Sequence, residues 1–391
     1  MNASRIVGIE AISSAGTDKF ANFKNCLQKK SFIDSDGLSK ISESTWSDLR
    51  KQNPEQLKNS KSSLLASHCL KSVFAQSLWS PDEIKTCGFI FASTTSQIDL
   101  WEKDLPHYKD ITQNRERLER AVFHQSLGYP LVQLSKQFDI QGPKSVVASS
   151  CSAGLQAIAM ADLLIRSNVV DRCIIGSTEI LSELTTVGFN SLRLVAKTNS
   201  KPFAKNRTGI NLGEGAGFIL IESDQLPHKT IPWGYISAAN FNLDAYHATA
   251  PQPEGKGSFE SMAAVLKMAQ LSTEQIPWIY SHGTGSAAND ASESCAIRTL
   301  FPKSADIPVT STKSIHGHTL AASGIIESVI GLVAMKENYI LPTFTDGEID
   351  PSLQIKILSE ALPTIFSHFL KNSLGFGGVN ASVIFSKECP R

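Results

Sequence analysis

Three short stretches carry residues that do chemistry if they meet. "SSCSAG" (149–154) puts Cys151 after the strand-like "KSVV" and at the head of a long apolar run. "SHGTGS" (281–286) puts His282 where a strand runs into glycines, and "STKSIHGHTLAASG" (311–324) puts His318 just ahead of a second apolar run. A cysteine where a helix begins, near residue 151, faces free amides and an aligned dipole, which favour the thiolate. Its own amide can donate to an oxygen bonded beside its sulfur. Ser149 or Ser150 is placed to cap that helix. The small residues Ser152, Ala153 and Gly154 let a backbone or a substrate approach closely.

Each residue taken alone has an ordinary reading. Free cysteine is among the most buried residue types, and Cys26, Cys69, Cys87, Cys173, Cys295 and Cys389 keep that reading. A lone histidine is more often structural than catalytic. His316 is read as a bystander, because the helix start follows His318 more closely. The case for Cys151 therefore depends on His282 and His318 reaching it.

The elements that must position these residues alternate between strand and helix. In the first half "RIVGIEAIS", "CGFIFAST", "KSVVASS", "DRCIIGSTE" and "GAGFILIES" read as strands, and "KSSLLASHCLKSVFAQSL" as a helix. "CSAGLQAIAMADLLIRS" is a helix apolar on nearly every face, which belongs in an interior. Residues 101–127 are charged and mixed and read as a surface excursion. In the second half "SFESMAAVLKMAQL" and "DASESCAIRTLF" are helices, "WIYSHGTG" and "IPVTSTKS" strands, and "AASGIIESVIGLVAMKE" a second buried helix. "NSLGFGGVNASVIFS" is a strand, a glycine turn and a strand. In each half a strand leads through a polar loop into a buried helix, with Cys151 in one loop and His318 in the other. Two related α/β halves follow, divided at 1–230 and 231–391.

Composition excludes several classes. The 391 residues are 41% hydrophobic, and 37 basic residues balance 37 acidic ones, so no global charge pulls the chain toward nucleic acid or an anionic membrane. No apolar run is long enough for a membrane span, the N-terminus lacks a secretory pattern, and the scattered cysteines form no metal-ligand cluster. A cytoplasmic protein without a metal is expected. "GINLGEGAG" is not a phosphate loop, since it lacks the Gly-Lys-Ser/Thr ending and precedes a strand.

Together, "SSCSAG", "HGTGS", "TKSIHGHTLAASG" and "NSLGFGGVN", with "GINLGEGAG" and "DAYHATAP", resemble the β-ketoacyl-acyl-carrier-protein synthases of the thiolase superfamily, nearest their elongating Cys-His-His branch. The likeness runs from "RIVGIEAISSAGTD" to "NASVIF". It implies a thiolase-like five-layer αβαβα fold of two pseudo-symmetric halves, a homodimer or a heterodimer with a ketosynthase-like or chain-length-factor subunit, and decarboxylative Claisen condensation. It also implies an acyl carrier protein as partner, substrates carried on its phosphopantetheine, and no cofactor bound by the enzyme. By the resemblance Cys151 is the nucleophile, and His282 and His318 are the active-site pair. Lys313 and Glu327 match the family's lysine and its structural and catalytic glutamate. Phe376 matches a gating phenylalanine whose amide joins that of Cys151 in the oxyanion hole. Thr284 and Ser286 match hydroxyls along the phosphopantetheine arm.

The chain departs from the family in places. The usual Arg-Pro-Phe-Asp stretch is "KPFAKNRTG", with Ala204 in place of the carboxylate; Ser286 replaces a threonine, and Val379 stands where a hydroxyl is common. These departures point to a specialised fatty-acid or polyketide pathway, such as a polyene or aryl polyene one. The basic group Lys201, Lys205 and Arg207 is expected either to receive an acidic carrier or to be solvated surface charge. The same choice holds for Arg115, Arg117 and Arg120. A thiolase would need a second cysteine near "GFGGVN", and a chain-starting ketosynthase resembles a Cys-His-Asn set. A non-catalytic chain-length partner, the alternative, usually lacks the cysteine.

Overall fold

Eleven strands form one hydrogen-bonded sheet system. They are β1 (Ser4–Ser13), β2 (Gly88–Ala92), β3 (Lys144–Val147), β4 (Arg172–Glu179), β5 (Gly215–Ser223), β6 (Gly234–Leu243), β7 (Ile279–Tyr280), β8 (Pro308–Thr310), β9 (Lys356–Ile357), β10 (His368–Gly375) and β11 (Val379–Ser386). The computed structural model describes residues 3–54, 60–104, 106 and 113–390, without the side chains of Asp104 and Arg120. His107, part of the 101–127 excursion and the Arg120 side chain thus lie outside the described residues.

The spatial order is β9-β8-β7-β10-β11-β6-β1-β5-β4-β2-β3. It contains one pattern twice. The series β1-β5-β4-β2-β3 pairs antiparallel, antiparallel, parallel, parallel, and β6-β11-β10-β7-β8 repeats that sequence of pairings. The halves are joined where Ser4–Ile6 pairs with Gly234–Ile236. The duplication that residue identity left open is therefore visible in topology.

Five helices complete the layers: α1 (Lys61–Ser77), α2 (Ala153–Arg166), α3 (Lys256–Ala269), α4 (Ala287–Leu300) and α5 (Ser323–Glu337). Helix α1 covers β1 and β5 on one outside face, and α3, flanked by α4, covers β6 and β11 on the other. Helices α2 and α5 lie between the half-sheets and touch strands of both. Ile325, Ile326, Val329, Ile330 and Val333 of α5 are fully buried. Each contributes about 1.5–3 kcal/mol of transfer free energy, which is why the apolar character runs round the helix.

Both central helices begin through the same device. A single 3₁₀ turn, Ser150–Ser152 before α2 and Leu320–Ala322 before α5, opens on a residue with positive φ, 54° at Ser150 and 45° at Leu320. A left-handed non-glycine residue costs about 1–3 kcal/mol, so the packing must impose it. Cys151 and Ala321 hold equivalent places in the two turns. The helix expected from residue 151 thus starts at Ala153, and neither Ser149 nor Ser150 caps it. Instead Ser152 Oγ donates to the Ser149 carbonyl at 3.0 Å. The small residues do serve close approach: a Cβ on Gly154 would lie 2.6 Å from the Ala321 carbonyl oxygen.

Other expectations changed. β6 was not anticipated, because "GYISAANFNL" mixes small and polar residues without alternation. "WIYSHGTG" and "IPVTSTKS" keep only short strands, after which the chain turns into the polar loops that carry the histidines. The 101–127 excursion includes the exposed helix Arg115–Gln125.

Candidate active site

The polar loops of both halves open into one cavity of about 390 Å³. Cys151, His282, His318, Thr284, Ser286 and Phe376 all line it. The cysteine and both histidines, distant in sequence, therefore meet. The His282 and His318 rings are edge to face, with centroids 5.3 Å apart at 82°. Ser373, on β10, links the sulfur's residue to the first ring: its Oγ donates to the Cys151 carbonyl at 3.2 Å and lies 3.3 Å from His282 Nδ1. Ser323 Oγ lies 2.9 Å from His318 Nδ1. Each imidazole thus has Nδ1 engaged by a serine and leaves Nε2 for the cavity.

Backbone contacts fix the loops. Glu293 of α4 accepts from the amides of His282 at 2.7 Å and Gly283 at 2.9 Å, and Asp290 from those of Thr284 at 3.1 Å and Gly285 at 3.2 Å. The His318 amide donates to the Asn211 carbonyl at 2.6 Å. "GINLGEGAG" is therefore a strut for the His318 loop. Glu293, Asp290 and Asn211 were not singled out from the sequence; acidic residues on an otherwise buried helix face were the available signal for the first two.

Lys313 and Glu327 come together behind the cavity, not in its wall. Lys313 Nζ donates to the His282 carbonyl at 2.8 Å and to Glu327 Oε1 at 2.5 Å. A second lysine, Lys371, completes the cluster, with Nζ in an ion pair 2.8 Å from Glu327 Oε2 and bonded to the carbonyls of Ser281 at 3.0 Å and Asn372 at 2.7 Å. Sequence reasoning missed Lys371, although a lysine within the apolar strand "HFLKNSLG" was a signal. Burial alone would raise the Glu327 carboxyl, but Lys313 and Lys371 outweigh it and hold it at about 2. Burial pushes Lys371 down to about 8, against the pull of Glu327. His316 is buried on Thr312 Oγ1 at 2.9 Å and does not line the cavity.

Burial dominates the titration of the cavity groups. It lowers His318 to about 3 and His282 well below the usual range, with the Lys313 ammonium adding to both. Both rings are neutral at physiological pH. The Cys151 thiol is pushed up to about 12 by burial, against the Lys313 charge. This corrects the expected resting thiolate. Cys151, only 5% exposed, sits in the 3₁₀ turn ahead of α2, and burial is the largest influence on its thiol.

Phe376 stacks on Phe189, centroids 5.5 Å apart, at the cavity wall. Thr284 Oγ1 and Ser286 Oγ lie 3.0 Å apart beside it. The basic group is already paired: Lys201 with Asp346 at 3.0 Å, Lys205 with Glu348 at 2.8 Å and Arg207 with Asp350 at 2.8 Å. Its charge is neutralised by the 346–350 loop, which weakens the carrier-contact reading, and Arg207 alone of the three reaches the cavity wall. Main-chain bonds Lys205 to Glu348 and Asp350 to Phe203, both 2.9 Å, hold the stretch around Ala204.

The N-terminal domain of β-ketoacyl synthases matches residues 49–226 and the C-terminal domain of β-ketoacyl synthases matches residues 233–345. The chain is 32% identical over 265 residues to 3-oxoacyl-[acyl-carrier-protein] synthase 2 of Staphylococcus aureus (strain COL), 65% of this chain, and spans 64% of that relative's length. Among solved structures, the ishigamide ketosynthase/chain length factor superposes with a TM-score of 0.88 at 21% identity, covering 99% of each chain. The ketosynthase ApeO in complex with its chain length factor ApeC from Xenorhabdus doucetiae gives 0.82 at 25% identity, covering 99% of this chain and 98% of the other. With two matched domains in the expected order and a thiolase-like fold throughout, the chain belongs to the β-ketoacyl synthase family.

Proposed function

We propose that the protein is a β-ketoacyl-acyl-carrier-protein synthase that condenses an acyl chain held on Cys151 with a malonyl thioester. The observation that carries this reading is the meeting of Cys151 with two neutral imidazoles in one cavity. In the first half-reaction Cys151 Sγ bonds to the acyl carbonyl, the bond to the carrier sulfur breaks, and the thiol proton passes to the departing sulfur. Since the resting group is a thiol, proton loss accompanies attack. The oxyanion is held by the amides of Cys151 and Phe376; losing one such donor typically costs about 10²–10³ in rate.

In the second half-reaction the malonyl carboxylate leaves as carbon dioxide. The released electron pair forms an enolate, held by Nε2–H of His282 and His318. The carbanion carbon bonds to the acyl carbonyl, the bond to Cys151 breaks, and the thiolate takes up one proton. Lys313 and Glu327 act from behind, by holding the His282 backbone and setting the local charge. Thr284 and Ser286 lie along the phosphopantetheine arm of an acyl carrier protein.

A specialised pathway, with polyene or aryl polyene products, is supported by the "KPFAKNRTG" departure and by the likeness to ketosynthases solved with chain length factors. Retention of Cys151, His282 and His318 disfavours the non-catalytic partner. We take 230/231 as the division between halves, a cytoplasmic setting for the free cysteines, and a homodimer or a heterodimer with a ketosynthase-like or chain-length-factor subunit. Intact-protein mass spectrometry after incubation with acyl carrier protein tests the assignment. The protein should gain one acyl group and Cys151→Ala none; an adduct on that variant refutes the nucleophile. His282→Ala or His318→Ala should lower carbon dioxide release by about 10²–10³ while acyl loading survives. Equal loss of both half-reactions would contradict the assigned roles.

A further inference from the structure

The two serines at the imidazoles differ in one respect. Ser373 Oγ has two acceptors within reach, the Cys151 carbonyl and His282 Nδ1, and one proton to give. Ser323 Oγ has His318 Nδ1 at 2.9 Å and, on its other side, Thr319 Oγ1 at 3.1 Å. Thr319, His318 and Ser323 are all buried.

Only one direction of donation bonds both hydroxyl protons and leaves the ring proton to the open cavity. If Thr319 donates to Ser323 and Ser323 to His318 Nδ1, both hydroxyl protons are bonded. The neutral ring then carries its proton on Nε2, the nitrogen left to the cavity. In the reverse direction Nδ1–H donates to Ser323 and Ser323 to Thr319. The Thr319 proton then has no acceptor among the hydrogen bonds of the described residues, and a buried donor without a partner is costly. The forward direction therefore wins.

We propose that Ser323 is a positioning residue: with Thr319 behind it, it holds His318 as the Nε2–H tautomer and so as a permanent hydrogen-bond donor to the enolate oxygen. This rests on the condensing-enzyme reading for its consequence, but not for the tautomer itself. His282 lacks such a lock, because Ser373 can turn to Cys151, so the constant donor of the pair is His318.

The test combines a spectrum with two half-reactions. Long-range proton–nitrogen correlation on ¹⁵N-histidine-labelled protein reads the tautomer directly, with the His318 signal assigned by its loss in His318→Gln. The wild-type ring should show a bare Nδ1 and a protonated Nε2; the opposite pattern overturns the proposal. Ser323→Ala should move part of the proton to Nδ1. It should slow carbon dioxide release from malonyl carrier by about tenfold, the size of one lost hydrogen bond, with acyl loading on Cys151 within about twofold. Ser328→Ala is the control, since that buried hydroxyl only donates to the Gly324 carbonyl at 2.6 Å one turn along α5. An Ser323→Ala protein with an unmoved tautomer and unchanged decarboxylation overturns the proposal, as does equal loss of both half-reactions. A wild-type protein that releases no carbon dioxide counts against the condensing reading instead, and the spectrum still decides the tautomer.

Discussion

Replacing Glu327 by glutamine isolates the charge cluster behind the histidines. Glu327 is buried, with Lys313 Nζ at 2.5 Å and Lys371 Nζ at 2.8 Å, and both lysines are themselves within 1% of full burial. Glutamine keeps the shape but leaves two buried ammonium groups without a counter-charge. Breaking a buried ion pair by removing one partner costs about 3–5 kcal/mol. For a chain of 391 residues the unfolding entropy is about 0.8 kcal/mol/K, so Tm should fall by about 4–6 °C at pH 7. The sign of the pH dependence follows from Lys371, already lowered to about 8 in the folded protein. Between that value and the ordinary 10.5 the unfolded chain binds more protons than the folded one, so this lysine's contribution to stability rises with pH across the window. Without Glu327 the lysine falls further and the window widens downward. The deficit of Glu327→Gln should therefore shrink between pH 7 and pH 10, and adding Lys371→Met should recover part of it. Thermal unfolding by circular dichroism, at fixed protein concentration, reads all of this. A Tm within about 1 °C of wild type, or a deficit that does not change with pH, refutes the argument that uncompensated charge is what the carboxylate prevents.

Two further outcomes follow from the same geometry. Alkylation of Cys151 by iodoacetamide, read by peptide mass spectrometry, should rise about tenfold per pH unit from pH 7 to 11 without a plateau, because burial holds the thiol up at about 12; a plateau below pH 8 would mean that the helix end outweighs desolvation. Gly154→Ala should destabilise by about 1–3 kcal/mol through overpacking, since its Cβ meets the Ala321 carbonyl at 2.6 Å where α2 and the turn before α5 touch; unchanged denaturant unfolding would show that the helices part freely.

Much of the site was legible in the sequence because its parts are local. The turn that carries Cys151, the glycine loop that carries His282 and the loop before α5 that carries His318 each have a short residue pattern, and the first and last lead from a strand into a buried helix. The alternation of apolar runs likewise announced two α/β halves. β6 escaped because its small polar residues carry no periodic signal, yet pairing with β11 on one side and β1 on the other makes it the seam of the sheet.

What the sequence by itself determined is which chemical groups exist and which local turns hold them. Tertiary structure decided their protonation and their partners. Whether Cys151 is thiol or thiolate depends on how much water the assembled core removes, and a local helix start does not report that. Ser373 and Lys371 matter only because β10 arrives beside His282 from elsewhere along the chain. The same holds for the charge behind the cavity: three ionisable groups are tolerable there only as a set, and the set exists only once α5 and β10 have packed beside the loop that carries Lys313.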